Sequence, residues 1–385
     1  MQDSYTEYIL PFSSDVNLLE EYVNASGGIR TGKLMEHLDS LAGSISYKHV
    51  LGPTAKSIQK VEEMGLYIVT AGVERYVHLD MLRPLDSTHD LRLSGQVIYT
   101  GRSSMEVVVR IETLARNDGE KDETILLGRF SMVCRDAKTN QAHPINPINV
   151  STQEEKTLFA IGQELKRRRA SLAQRSLKRV PPSSEEAAAL HENYLKFGDV
   201  IDQPNYIGYH HGKRCMLMFP QERNVHQKIF GGYLMRLAYE LGFSNASMFC
   251  RGRVRFLALD EISFKLPVPI GSILRLTSVV LYDDLVKERV DGEDHVYQLH
   301  IGVRANVLDI KTGAEKTTNE FRFTWRGEEK LNDGVGVGGG LVHKVRKVVP
   351  KTYREAMLWV GSRRAVAIGD EIREATAKKR EAEMK

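Results

Sequence analysis

The residues with the clearest chemical promise lie in one stretch, Asn224-Val-His-Gln-Lys-Ile-Phe-Gly231-Gly232-Tyr-Leu234-Met235-Arg-Leu-Ala-Tyr-Glu240-Leu241. A polar segment runs into a glycine pair, and an apolar pattern follows at once. Leu234, Leu237, Ala238 and Leu241 fall on one face of a helix. Adjacent glycines at a helix start let a ligand approach the uncovered backbone N–H groups of Gly231 and Gly232. The partial positive charge of the helix terminus suits a developing oxyanion there. Taken alone, the pattern favours a core helix with a glycine-rich entry turn. The chain, however, carries it twice.

The other copy is Asn24-Ala-Ser-Gly27-Gly28-Ile-Arg-Thr-Gly32-Lys-Leu34-Met35-Glu-His-Leu-Asp39-Ser-Leu41. In each copy Leu-Met follows the Asn by ten residues, at 34/35 and at 234/235. An acid follows on each helix, Asp39 in the first copy and Glu240 in the second. The flanks repeat as well. A short strand near 5–12 and a helix over 31–48 precede strand-like runs at 65–79, 90–99, 104–115 and 124–135. In the second half a strand at 214–219 leads to a helical segment over 224–249, then strands at 254–266, 272–282, 295–308 and 317–325. This predicts a duplicated β-α-β-β-β-β unit at an offset near 200, each copy an antiparallel sheet with one long helix on one face.

The chain therefore divides into a first domain over 1–150, a helical basic linker over 151–203, a second domain over 204–330 and an extension over 331–385. In the linker, Leu158, Ile161, Leu165 and Leu172 make an apolar stripe opposite Lys166-Arg167-Arg168-Arg169, read as a solvated face. Pro181-Pro182 interrupts it, and Ser183 with Glu186 makes a capping-box pattern. The Gly334–Gly340 run contains a formal GxGxxG without the strand-turn-helix context of a dinucleotide site, so it reads as a flexible loop. Thr352 and Glu355 open a C-terminal helix whose Lys- and Glu-rich end is expected to fray.

With 385 residues, 42% hydrophobic and 27% charged, the chain has the composition of a globular protein of two or three domains. A net charge of +4 is too weak to argue for nucleic acid. Three scattered cysteines, Cys134, Cys215 and Cys250, argue against a disulfide framework and a zinc site. No apolar run has the length of a membrane span, and the first residues lack the pattern of a targeting presequence.

A helix entered through a polar-Gly-Gly turn and wrapped by an antiparallel sheet resembles a hotdog domain. The second copy is similar to the acyl-coenzyme A thioesterase pattern Asn-x-x-x-x-Ile-Phe-Gly-Gly-x-Leu-Met. The first keeps Asn24, Gly27, Ile29 and Gly32 and loses the Phe-Gly-Gly. Pro220-Gln-Glu-Arg-Asn224, Gly101-Arg-Ser-Ser-Met-Glu-Val and Pro350-Lys-Thr-Tyr-Arg-Glu-Ala-Met-Leu extend the resemblance to a mitochondrial branch of the double-hotdog acyl-coenzyme A thioesterases. It covers nearly the whole chain.

The resemblance implies an α+β fold of two tandem hotdog domains forming a pseudo-dimer. It implies hydrolysis of acyl-coenzyme A to fatty acid and free coenzyme, with no cofactor or metal, in a mitochondrial homotrimer. In such enzymes a site takes the Asn from one copy and the helix acid from the other, which pairs Asn224 with Asp39. The reciprocal pair would join Asn24 to the residue fifteen after Asn224, and that residue is Tyr239. Glu240 lies about 100° further round the helix, so one good site and one doubtful one are expected. The carboxylate would activate water, the amide would orient it, and Gly231 or Gly232 N–H would polarise the thioester. Coenzyme contacts would come from Arg102, Ser103 and Ser104, with Arg251 and Arg253 as further candidates. Two alternatives stay open: a silent acyl-coenzyme A-binding or scaffold protein, and a hydratase or dehydratase. The latter needs a His–Asp or His–Glu pair, for which His78 and His226 show no evident partner.

Overall fold

The computed structural model describes all residues except 25–26, 53–64, 71–76, 82–88, 117–120, 199–210, 225–226, 288–294, 330–346 and 384–385. The first half contains β1 (Thr6–Leu10), α1 (Val16–Tyr22), α2 (Thr31–Leu51), β2 (Leu66–Thr70), β3 (Val77–Met81), β4 (Leu91–Thr100), β5 (Ser104–Thr113) and β6 (Glu123–Asp136). Helices α3 (Gln153–Gln174) and α4 (Ser184–Phe197) follow. The second half contains β7 (His211–Leu217), α5 (Gly231–Cys250), β8 (Arg253–Phe264), β9 (Ile273–Lys287), β10 (His295–Leu308) and β11 (Glu315–Glu329), and α6 (Tyr353–Glu383) closes the chain.

The strands form one antiparallel sheet in the order β1-β4-β5-β6-β3-β8-β11-β10-β9-β7, with β2 also on β6. The order is a palindrome. Each half contributes an edge strand, three long strands and a seam strand, as duplication predicts. The seam is short, with Leu79 opposite Leu259 and Asp80 opposite Ala258. Each half thus wraps a long helix with an antiparallel sheet, the expected double-hotdog arrangement.

Helices α2 and α5 pack against each other under this sheet, and their contact is closer than side chains would allow. A Cβ at Gly232 would lie 2.8 Å from the Glu36 carbonyl oxygen and 3.0 Å from its Cα. A Cβ at Gly32 would lie 3.1 Å from the Tyr239 ring and 3.3 Å from Arg236 Cγ. At this crossing Arg236 Nη1 meets Glu36 Oε2 at 2.9 Å. The two occupy equivalent positions in the repeat, so the duplicated chain has placed opposite charges where a true homodimer would face like with like. The inner sheet face is apolar: Phe321, Phe323 and Trp325 alternate with outward residues and are fully buried.

The expected elements differ from the structure in four places. The 65–79 run divides into β2 and β3, with residues outside the described set between them. The helix of the second copy begins at Gly231 rather than 224, because Arg223 bridges Ile229 and Asn224 N bonds the Lys228 carbonyl, contacts a helix does not make. Helix α1 is additional to the expected elements; Asp15 caps it by accepting from Leu18 N at 2.9 Å. The Lys- and Glu-rich end expected to fray is helical to Glu383, in keeping with the helix propensity of Ala, Lys, Glu and Arg. The Gly-rich run lies outside the described residues.

The basic run of α3 is not one solvated face. Arg169 turns inward and pairs with both oxygens of buried Glu106, which also accepts from Ser131 Oγ at 3.1 Å. Lys166 lies over the Tyr99 ring, and Arg167 pairs with Glu164. Both expected capping boxes form, at Ser183/Glu186 and Thr352/Glu355. Glu186 also receives Arg364 of α6, and that pairing together with its cap holds its carboxyl low, at a pKa of about 2. Arg364 reaches the Arg175 carbonyl at 3.0 Å as well, so α6 is tied to both linker helices.

If the helix crossing needs its glycine, Gly232→Ala should lower stability by about 1–3 kcal/mol, the usual cost of overpacking. Gly43 of α2, where an added Cβ would have nothing within 4 Å, is the control. Gly43→Ala should raise stability by up to about 1 kcal/mol. Denaturant unfolding of the two variants beside the wild type checks both signs.

Candidate functional site

Asp39 sits midway along α2, on the side that meets the start of α5. It is 7% exposed. Its carboxylate lies beside the backbone N–H of Gly232, which favours the ionised form, and its Oδ2 would lie 3.1 Å from a Cβ at Gly231. The Phe264 ring would lie 3.3 Å from that same point, so an aromatic edge and a carboxylate converge on the first residue of α5. Burial raises the Asp39 pKa to about 7. The Gly232 N–H opposes the rise, and the nearby Glu36 carboxyl adds to it. A carboxylate that changes charge near neutral pH is matched to proton transfer. A side chain at 231 would press on both Asp39 and Phe264.

The turn carrying Asn224 closes onto the same helix end. Asn224 N donates to the Lys228 carbonyl at 2.7 Å, and its side-chain Oδ1 accepts from Lys228 N at 3.1 Å. Phe230 N then bonds the Glu222 carbonyl at 2.9 Å. Glu222 is near enough to Glu36 to raise its pKa, although burial is the larger cause. The loop of one copy therefore arches over the helix face of the other, where Asp39 lies. Part of the Asn224 side chain is spent on holding its own turn.

The reciprocal site is built differently. Asn24 makes the same turn, accepting from Gly28 N at 3.1 Å. Where Asp39 would have its counterpart, Tyr239 is half-buried beside Thr31 at the start of α2, and desolvation pushes its phenol up to about 12. Its ring packs on Phe256, Phe323 and Trp325 at 5.0–6.2 Å between centroids. Glu240 points elsewhere: it pairs with Arg30 and Arg214, each at 3.2 Å, on the surface. Its link to the start of α2 runs through the Arg30 guanidinium rather than a backbone N–H.

The other candidates are not gathered beside Asp39. The Gly101–Ser104 turn is closed by Gly101 N to Ser104 O at 2.7 Å, and the Ser103 and Arg102 carbonyls accept from Cys134 and Ile145. His49 bonds the adjacent Asn146 carbonyl, which puts Arg102, Ser103 and Ser104 near the C-terminal end of α2, about 15 Å of helix from Asp39. Arg251 caps the far end of α5 in a left-handed conformation, and Arg253 begins β8. Roughly 30 Å of helix separates them from Gly231.

His226 lies outside the described residues, and His78 is described only as a backbone position in β3. A His–Asp pair that the sequence did not suggest does occur. His300 Nδ1 lies 3.5 Å from Asp260 Oδ2, with Thr324 Oγ1 bonded to both. It lies on the sheet face away from α5: Tyr297 meets Phe249 of α5, whereas Gln298, with the parity of His300, meets Asp370 of α6. It is no part of the Asp39 site. Among the described residues no cluster of metal-ligating side chains occurs, and no helix is long and apolar enough to cross a membrane.

No family model matches the chain. Curated relatives do. The chain is 33% identical over 377 residues to acyl-coenzyme A thioesterase 9, mitochondrial, of Homo sapiens, covering 94% of this chain and 77% of that protein. It is 32% identical over 375 residues to the protein of the same name from Bos taurus, with the same coverage. Acyl-coenzyme A thioesterase 4, mitochondrial, of Humulus lupulus is 33% identical over 361 residues, covering 92% of this chain and 64% of that protein. With a duplicated sheet, a helix pair joined through glycine and this degree of identity over nearly its whole length, the chain belongs to the acyl-coenzyme A thioesterase family.

Proposed function

We propose that the chain hydrolyses acyl-coenzyme A to the free acid and coenzyme A at one site, built by Asp39 of the first copy and the Asn224–Gly232 segment of the second. The carrying observation is the buried Asp39 carboxylate at the start of α5, with a pKa of about 7. Names of the relatives support the substrate class. The ionised carboxylate takes a proton from water, and the water oxygen attacks the thioester carbonyl carbon. Asn224 Nδ2–H orients that water. Gly231 N–H, at the unsatisfied end of α5, stabilises the oxyanion. Gly232 N–H holds Asp39, so its role is positioning the base. Collapse of the intermediate breaks the C–S bond, and the leaving thiolate receives the proton from Asp39.

In this reading Tyr239 has ended the second site, since a phenol pushed up to about 12 is no base at neutral pH. Arg102, Ser103 and Ser104 remain coenzyme contacts by family resemblance, and Arg251 and Arg253 are weaker ones, given their distance from the site. The four segments 1–150, 151–203, 204–330 and 331–385 are proposed as the working units. A mitochondrial setting follows the relatives' names, and a homotrimer of double-hotdog chains is the proposed assembly. A silent binding protein would have no use for a carboxylate poised near neutral pH, which favours the enzyme.

Asp39→Asn and Asn224→Ala should each lower kcat by about 10²–10⁴-fold, the scale of general-base assistance. Asn24→Ala and Glu240→Gln should change it less than about tenfold; steady-state release of free thiol from one acyl-coenzyme A measures all four. Equal losses in both pairs would mean two working sites. The wild-type rate should fall as pH drops below about 7, where Asp39 takes up its proton.

Stability should move the other way. The folded-state pKa of Asp39 lies above its unfolded value, so the stability it contributes is present at low pH and lost as pH rises through about 7. Asp39→Asn should therefore melt higher than wild type at pH 8, with the difference closing only near pH 4, the ordinary aspartate value. Thermal melts at the two pH values decide it, and a variant less stable at pH 8 would contradict the assigned burial cost.

A further inference from the structure

Asn319 of β11 is 1% exposed, and neither its Nδ2 nor its Oδ1 has a hydrogen-bond partner among the described residues. Leaving both ends of a buried carboxamide unpaired costs free energy that a leucine of similar size would avoid. Its place in the sheet shows where the amide lies. Asn319 stands directly opposite Phe264 of β8, and opposed residues in an antiparallel pair share a face. The Phe264 ring is the one that meets Gly231 beside Asp39. Phe321, two residues along β11 on the same face, packs edge-on against Phe264 at 6.3 Å. Ala305, fully buried, flanks Asn319 from β10. The carboxamide is thus a polar group set in the apolar wall that runs inward from the Asp39 carboxylate, one aromatic side chain away from it.

The direction of that wall indicates which part of a substrate would meet it. The thioester carbonyl must lie within reach of Asp39 and the start of α5. The coenzyme, long and charged, leaves toward solvent, so the acyl group is the part that continues along Phe264. Resting on the thioesterase reading, we propose that Asn319 is a specificity-determining residue that hydrogen-bonds an oxygen carried on the acyl group. The site then favours thioesters of short hydroxyacyl or oxoacyl groups over plain acyl chains. A hydroxyl or keto oxygen pairs with the amide, whereas an all-carbon chain leaves it unpaired in the complex. A site built to hydrogen-bond a substrate oxygen discriminates strongly against the analogue that lacks it.

The test compares initial rates of thiol release from butyryl-coenzyme A and 3-hydroxybutyryl-coenzyme A. Wild type, Asn319→Leu and Asn319→Ser are measured, with thermal melts to show that each variant folds. In the wild type, kcat/KM should be at least about tenfold higher for the hydroxyacyl substrate. Asn319→Leu should lose that preference by slowing the hydroxyacyl substrate while keeping or raising the rate on butyryl. Asn319→Ser, which keeps a shorter donor and acceptor, should retain part of it. A wild type with no preference overturns the proposal without recourse to any variant. So does an Asn319→Leu enzyme slowed equally on both substrates, which would mean that the amide holds an internal water or supports the fold. If the wild type released thiol from neither these nor longer acyl-coenzyme A substrates, the thioesterase reading itself would fall, and the specificity proposal with it.

Discussion

Everything at the candidate site depends on how closely α2 and α5 approach each other. Gly232 lets α5 touch the backbone of Glu36, and Gly32 lets α2 reach Arg236 and Tyr239 in return. Only this contact delivers a side chain of one helix to the N-terminus of the other. A methyl group at Gly232 would press into the Glu36 backbone and shift the start of α5 away from Asp39. The same closeness takes most of the Asp39 carboxylate out of bulk solvent. Its raised pKa is therefore a consequence of the packing that built the sheet's core.

Duplication within one chain released the two halves from symmetry, and the crossing shows what followed. Glu36 and Arg236, at matching positions, became an ion pair. Asp39 and Tyr239, also matching, became a buried acid and a half-buried phenol. In the second half the matching position contributes packing. Tyr239 joins Phe256, Phe323 and Trp325 in an aromatic cluster, and such clusters add stability beyond their buried area. A buried acid of the Asp39 kind costs stability above neutral pH. One half kept that cost, and the other replaced it.

Around this pair the outer face of the sheet is covered by helices held through buried or half-buried ion pairs. Arg169 with Glu106 fixes α3, and Arg364 with Glu186 fixes α6 to the linker. Removing one partner of a buried pair such as Arg169 and Glu106 leaves an uncompensated charge, so these contacts constrain position more than they add net stability. The buried His300–Thr324–Asp260 group belongs to this outer layer. It lies on the face of the sheet opposite the helix crossing.

Much of the architecture was legible in the sequence because it was written twice. Two Asn-to-Leu-Met spacings and two matched sets of alternating strands are local patterns, and local patterns fix strands, helices and capping boxes. The proposed Asp39–Asn224 pairing rests on family resemblance, since nothing in spacing along one chain says which helix end an acid will meet. Tertiary structure decided the rest. It placed Asp39 against Gly232 and Phe264, turned Glu240 out to Arg30 and Arg214, and tucked Arg169 inward from a run that reads as uniformly exposed. It also buried Asn319, a residue with no sequence signal, opposite Phe264. The physical reason is the same in each case. Periodicity records which face of an element is apolar, whereas burial of a charge or an amide depends on contacts between residues far apart in the chain.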